Sequence, residues 1–305
     1  MGRFTQKGKS AGFGLAAWLI LGVAIAAGQA PSAAKAPLSR FDVAGLLAAG
    51  IRPGRIAQLI GQSGTSFVVS NDEATSLRAG GASDGLLTVL RGTAARGRPG
   101  GESLESQADP KTFLHLTEAA ALIAQKRYTD AERECRAALN EGSASAWVHI
   151  ALGRLLFLEA GGRKRKDPER SRELDEGLQE LQTGLHLAFA YADAHLAYGE
   201  ALESVGQFRL ALSAFSKAVE LEPDYLDALA HFAFALGVTG QWASAQKEFE
   251  KVIQLDPTNV SAHFGLGTML EEQGKTQEAK EQYRIVRDLD PDFPPYKKLP
   301  REFKH

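Results

Sequence analysis

Three prolines, Pro223, Pro257 and Pro291, stand 34 residues apart, and four further registers share the same step. They are Gly206, Gly240 and Gly274; Ala211, Ala245 and Ala279; Phe215, Phe249 and Tyr283; and Leu221, Leu255 and Leu289. A fixed period of this length means one supersecondary unit used repeatedly, each copy burying its apolar face on the next. Within the unit the pattern predicts two helices. Gly199, Ala233 and Gly267 fall on the first and Ala211, Ala245 and Ala279 on the second, where small residues let paired helices approach closely. Gly206, Gly240 and Gly274 end the first helix, in a left-handed conformation that glycine adopts at least cost. Each proline ends the second, because it lacks an amide donor and clashes with the preceding turn. Phe208 and Trp242 open second helices and are expected to wedge the hairpin turn.

Two less regular units lie upstream. HLTEAAALIAQKRYTDAERECRAAL (115–139) keeps Ala119, Tyr128, Ala131 and Ala138 in register, with Ser143 at the closing proline position. HIALGRLL (149–156) opens a unit whose second helix, near 173–187, is displaced by the insert GGRKRKDPERSR (161–172). That unit has Phe189 in place of proline, and Gly177 and Gly184 where alanine or a β-branched residue is expected.

The segment AYADAHLAYGEALESVGQFRLALSAFSKAVELEP (190–223) and its successors resemble the tetratricopeptide repeat, in an exported bacterial type of protein. The resemblance implies an all-α chain: a right-handed α-solenoid of about five repeats over residues 111–292. In that family ligands lie in a concave groove lined by first helices. Carried over by register, the N-terminal half of that groove presents Phe113, Leu116, Ile123, Trp147, Ile150, Phe157 and Leu158. The C-terminal half presents Asp193, Leu196, Glu200, Glu203, Asp227, Phe234, Phe264, Glu271 and Glu272. The basic pair and asparagine that clamp a terminal carboxylate in chaperone-binding relatives are absent. The implied partner is therefore a protein or peptide segment, apolar and basic, extended or helical. The apolar half has a second reading, as internal core covered by residues 40–92. A structural or self-assembling protein without a separate ligand is the rival class.

The N-terminus bears on location. Arg3, Lys7 and Lys9 precede the apolar run AGFGLAAWLILGVAIAA (11–27), and small residues suited to cleavage follow at Ala27 and Ala30. This is the pattern of an export signal over residues 1–30. Kept uncleaved, the 17-residue run would anchor the chain in a membrane, although a spanning helix needs about 20 residues. No cysteine follows it, so a lipid anchor is not supported. Either way the body is expected outside the cytoplasm, periplasmic or extracellular.

Residues 40–92 form a small, mostly helical module. Phe41, Val43, Leu46 and Leu47 mark one helix, and Ile56, Leu59 and Ile60 another after Pro53. A brief extended run (Phe67 to Val69) follows. Ser70 then begins a capping box with Glu73, and Ser83 caps a helix carrying Leu86, Leu87 and Leu90. So short a unit has a marginal core and is expected to lean on its neighbours. Residues 93–110, rich in Gly, Ser and charge, read as a flexible linker. In the tail, 293–305, Phe293, Tyr296 and Leu299 are expected to fold back over the last repeat as an extended cap.

The residues offer little chemistry beyond binding. His115, His149, His195 and His263 share one register, but helices about 10 Å apart keep such side chains from converging on one ion. Cys135, the single cysteine, falls at an inward register shared with Phe215 and Phe249 and reads as a buried structural thiol. The basic run Arg163 to Lys166 reads as a solvated loop, or else as a contact for lipid headgroups or an acidic partner. GQSGTS (61–66) lacks the lysine of a phosphate-binding loop. No nucleophile–base pair, paired carboxylates or nucleotide-binding glycine loop is present, so neither catalysis nor a cofactor is expected. A net charge of −2 leaves no footprint for nucleic acid. The helix–turn–helix flavour of residues 52–67, with Arg52 and Arg55, suggests a DNA-binding alternative that conflicts with export.

Overall fold

The computed structural model describes residues 35–93, 110–142, 145–164 and 166–297. The export signal (1–30), nearly all of the linker, Ser143 and Leu299 lie outside the described residues, as do the side chains of Tyr296 and Arg165.

The array begins at α5 (Pro110–Ala124), which pairs with α6 (Tyr128–Asn140). The next hairpin is α7 (Ala146–Gly162) with α8 (Pro168–Leu187). Then follow α9 (Ala192–Ser204) with α10 (Phe208–Leu221), α11 (Leu226–Val238) with α12 (Trp242–Leu255), and α13 (Val260–Glu272) with α14 (Thr276–Leu289). Five helical hairpins are therefore present, and among the described residues of the array no strand interrupts them. First helices break at Gly206, Gly240 and Gly274, with φ of 79°, 82° and 76°. In the first hairpin Lys126 holds the equivalent place at φ 60°, a conformation that strains any residue with a Cβ.

Within the hairpins the small residues act as expected. A Cβ on Gly199 would lie 2.4 Å from the Phe215 ring, and one on Gly267 2.6 Å from Tyr283. The histidine register also finds its partners inside the hairpins. His115 Nδ1 meets Glu134 Oε2 at 2.7 Å, His149 Nδ1 meets Glu180 Oε2 at 2.7 Å, and His263 Nδ1 meets Gln282 Oε1 at 2.8 Å. Each histidine thus latches a first helix to its own second helix. His195 instead bonds the Phe189 carbonyl at 2.9 Å.

The basic run keeps its expected loop at Arg163, Lys164 and Lys166, but the second helix starts earlier than the expected 173. Helix α7 runs on to Gly162, and α8 starts at Pro168 with the Asp167 side chain accepting from the Glu169 amide. Most of the insert is therefore helix, lengthening the second hairpin, and Arg163 closes its tip by donating to Glu173 at 2.7 Å. The unexpected glycines now have a reason. A Cβ on Gly177 would sit 3.1 Å from the Gly153 carbonyl oxygen, and one on Gly184 2.9 Å from that of Ala146. The two long helices touch along their backbones.

Before the array come α1 (Arg40–Ala48), α2 (Pro53–Ser63), α3 (Asn71–Ala79) and α4 (Asp84–Thr93). Both expected caps form: Ser70 and Glu73 make the capping box of α3, and the Leu86 amide donates to Ser83. A further box, Ser39 with Asp42, starts α1. This module shares its core with the array. Leu46, Leu59, Leu86, Leu116, Trp147 and Leu181 belong to one continuous buried cluster. Helix α1 is buried on nearly every side and crosses α7 so closely that a Cβ on Gly45 would fall 2.7 Å from that of Trp147. Asp42 also accepts from the Ser145 hydroxyl at 2.8 Å, tying α1 to the start of α7.

At the other end the tail turns into the short helix α15 (Pro294–Lys297) rather than running extended. Phe293 packs edge-on against Phe264, ring centroids 5.6 Å apart, and so covers part of the last repeat.

Candidate functional site

First helices pack on their counterparts from repeat to repeat, α7 on α9, α9 on α11 and α11 on α13, whereas consecutive second helices make no comparable contact. The first helices therefore line the inner side of a curved stack. Two regions of that concave face differ sharply.

Over α5 and the first part of α7 the face is closed. Helix α1 lies on both and α3 lies on α5, and Phe113, Leu116, Trp147 and Ile150 are buried in the core the module shares with the array. Where the module ends, a charged cluster seals it to α9, α10 and α11. The Arg55 guanidinium grips Asp193 with two bonds, Nε to Oδ1 at 2.9 Å and Nη2 to Oδ2 at 2.7 Å. Its remaining nitrogen reaches Glu222 at 2.6 Å, and its Cζ lies 4.3 Å from the centre of the Tyr225 ring. Tyr225 in turn donates to Asp193 at 3.0 Å. Lys35 pairs with Glu222 at 2.9 Å and sits over the Tyr191 ring. Two cations thus face two carboxylates, and Arg55 and Asp193 are both shielded from water. Burial alone would loosen the Arg55 proton, but Asp193 and Glu222 outweigh it and hold the guanidinium charged beyond its ordinary range. Burial likewise opposes the charge on Glu222, and Arg55 and Lys35 reverse that, keeping the carboxyl below its usual value. Beside the cluster a cleft of about 660 Å³ opens between α2 and the α10–α11 turn, with Arg52, Gln58, Tyr225 and Asp227 among its walls.

Beyond this seal the face is open. Glu200 and Glu203 on α9 face His231 on α11, whose Nδ1 lies 3.0 Å from Glu203 and Nε2 3.6 Å from Glu200, while its ring stacks on Phe215. Arg154 also reaches Glu200, at 3.3 Å. Phe234 is 43% exposed. On α13, Glu271 accepts from the Tyr283 hydroxyl at 2.9 Å and Glu272 is exposed.

Models of the tetratricopeptide repeat match residues 192–225 and 239–300. The chain is a tetratricopeptide-repeat protein. Its fold is similar to that of YrrB, a tetratricopeptide-repeat protein with an unusual peptide-binding site. The two share 21% identity and a TM-score of 0.50 over 64% of this chain and 94% of that one. It is also similar to MamA (41–end) from Desulfovibrio magneticus RS-1, at 18% identity and TM-score 0.52 over 61% and 98% of the two chains. Pseudomonas aeruginosa PilF is a third neighbour, at 17% identity and TM-score 0.50 over 58% and 76%. No curated protein matches the sequence.

The tetratricopeptide groove residues named from the sequence therefore do not share one surface. Phe113, Leu116, Trp147 and Ile150 are buried in the core that the module shares with the array. Asp193 is buried in the seal and Leu196 in the core of the third hairpin, while Ile123 is half-buried and Leu158 is 48% exposed. Phe157 is half-buried in the second hairpin, where a Cβ on Gly177 would meet its ring at 2.9 Å. Glu200, Glu203, Asp227, Phe234, Phe264, Glu271 and Glu272 lie on the open side, Phe264 partly under Phe293. The acidic wall expected there is compensated in part, by His231 and Arg154. Sequence reasoning passed over His231, Lys35, Glu222 and Tyr225. One signal was available: Tyr191 with Asp193, and Tyr225 with Asp227, repeat the same spacing one period apart. As for the DNA-binding alternative, Arg55 faces Asp193 and Glu222 instead of solvent. No helix among the described residues is long and apolar enough to cross a membrane, and residues 11–27 are not among them.

Two predictions follow from the charges. Removing one partner of a buried pair strands the other, which costs on the order of 3–5 kcal/mol, whereas an exposed pair is worth about 1 kcal/mol or less. Arg55→Ala should therefore lower the urea midpoint sharply and Arg52→Ala barely; equal effects would show that the Arg55 fork is not what seals the module. Burial disfavours protonated His231, but Glu203, Glu200 and Asp227 outweigh it and raise its pKa above the ordinary value. A raised folded-state pKa stabilises the fold fully below the unfolded pKa, and that contribution is lost as pH rises through the folded value. An NMR titration should find His231 protonating at higher pH than a free imidazole, and Glu203→Gln should bring it down; no response to that variant would remove Glu203 as the cause.

Proposed function

We propose that this chain is a protein-interaction scaffold of the cell envelope, holding an apolar, basic segment of another protein in the open C-terminal half of its concave face. Tetratricopeptide repeats are as a rule non-catalytic interaction modules, which supports the scaffold reading at the coarse level. The observation that carries the finer reading is the unequal covering of the face. The module shares its buried core with Phe113, Leu116 and Trp147 of the N-terminal half, and Arg55 with the neighbouring Lys35 neutralises Asp193 and Glu222, yet Phe234 stays exposed between acidic residues of the neighbouring repeats. The likeness to YrrB, named for a peptide-binding site, supports a peptide as the kind of ligand. Export rests on the basic residues and apolar run before residue 30.

Carboxylates on one concave surface attract a cationic segment and repel an anionic one. Reversing Glu200 and Glu272 to Lys should leave the circular dichroism close to wild type and lower the melting temperature only modestly, because Glu272 is exposed and Glu200 is held only by partly exposed pairs with Arg154 and His231. It should weaken capture of partners from envelope extracts at low salt, with the difference shrinking at high salt as screening grows. Equal capture at every salt concentration would move the binding surface elsewhere, to the module or the lengthened hairpin. A reporter active only outside the cytoplasm, fused after residue 35, should be active; silence from an expressed fusion would refute the envelope location.

A further inference from the structure

On α11, Asp227, His231, Phe234 and Val238 are spaced i, i+4, i+7 and i+11, and so form one stripe along the helix. Its far end is apolar and open: Phe234 is 43% and Val238 47% exposed. This is a property of one repeat alone. The equivalents of Phe234 are Glu200 before it and Thr268 after it, and those of Val238 are Ser204 and Glu272. Phe208 adds to the apolar patch, its ring 6.4 Å from that of Phe234 and edge-on to it. Carboxylates flank the stripe on both sides, Glu200 and Glu203 on α9 and Glu271 and Glu272 on α13. An apolar centre within a charged rim is the anatomy of a specific protein interface.

The same face already carries one helix. Arg52 at the N-cap of α2 and Arg55 within it, one turn apart, reach Asp227 and Asp193, one repeat apart. The two contacts differ in strength. Arg55 and Asp193 are buried, whereas the Arg52 side chain is 74% exposed and that of Asp227 43%. An exposed single pair of that kind is weak and replaceable.

We infer that the open half takes a cationic amphipathic helix, laid along α11 next to α2, whose apolar side chains cover Phe234 and Val238 and whose cation takes Asp227 from Arg52. This rests on the reading of the concave face as the partner site, and it names the partner's form. The distance along α11 from Asp227 to Phe234 is seven residues, about 10.5 Å at ~1.5 Å per residue. A partner helix matches that span with residues i and i+7, which share a face. An extended strand covers it in about three residues at ~3.3 Å each, and residues an odd number apart point to opposite faces. The geometry therefore selects a helix with an apolar pair at i and i+4 and a cation seven residues from the first of them. Further cations on its flanks would meet Glu203 and Glu272.

The test measures fluorescence anisotropy of a labelled 18-residue Leu/Lys peptide patterned as an amphipathic helix, titrated with the full chain. Two controls share its length: a Leu/Glu counterpart, and a copy of the same Leu/Lys sequence interrupted by proline. The Leu/Lys helix should bind and both controls should not. Phe234→Ala and Asp227→Asn should each weaken binding about tenfold. Arg52→Ala should tighten it several-fold, since it frees Asp227 without removing anything the partner touches. Equal binding of the proline-interrupted peptide would overturn the helical form. Unchanged or weaker binding by Arg52→Ala would overturn the exchange at Asp227. If Glu200→Lys with Glu272→Lys abolishes binding while Phe234→Ala and Asp227→Asn do not alter it, the concave face remains the partner site and the α11 stripe is rejected. Failure of the Leu/Lys helix to bind at all would reject this occupant, leaving the wider reading to the extract experiment.

Discussion

Paired helices in this chain meet almost backbone to backbone, and the solenoid depends on that approach. Gly199 faces the Phe215 ring and Gly267 faces Tyr283 across separations that leave no room for a methyl group. A large aromatic on one helix is thereby received by the bare backbone of the other, giving the density that protein interiors require. The same device is taken furthest in the second hairpin, where Gly153, Gly177 and Gly184 let two long helices run in contact. Because three of the five hairpins are closed this way by their own residues, their remaining faces are free to stack on neighbours and, on the inner side, to receive something else.

What the inner side receives first is part of the same chain. Helix α1 is apolar around its circumference and is stable only when enclosed, and α5 and α7 supply the enclosure. The charged seal at Arg55 is a different kind of contact. A buried ion pair adds little net stability compared with an apolar replacement, but it is exacting in geometry, since a bidentate fork, a ring and two carboxylates must all meet. It therefore fixes where the covered half of the face stops and the open half begins. The module thus shapes the site by occupying its first half.

The repeat, its hairpins and the glycine breaks were legible in the sequence because they depend on local spacing. A 34-residue period, small residues at fixed offsets and prolines after each second helix are properties of the chain read in order. The caps at Ser70 and Ser83 were legible for the same reason. Less was visible wherever length or exposure depended on a neighbour. The basic run reads correctly as a loop, but polar composition placed the start of the second helix near 173, whereas α8 begins at Pro168 by packing on α7. The tail read as extended because of its prolines, yet Pro294 can open a short helix, where its missing amide is no loss. His231 was overlooked because it belongs to no repeated register, and its partners Glu200 and Glu203 come from the preceding repeat.

Sequence alone determined that this chain stacks helical hairpins. Only the tertiary structure decided which residues of its first helices meet solvent. Register gives the direction of a side chain from its own helix, and that direction is the same for Trp147 as for Phe234. Whether another segment lies over it depends on contacts between residues more than a hundred positions apart, such as Asp42 with Ser145 and Arg55 with Asp193. No periodicity encodes such contacts, because the module that makes them occurs once.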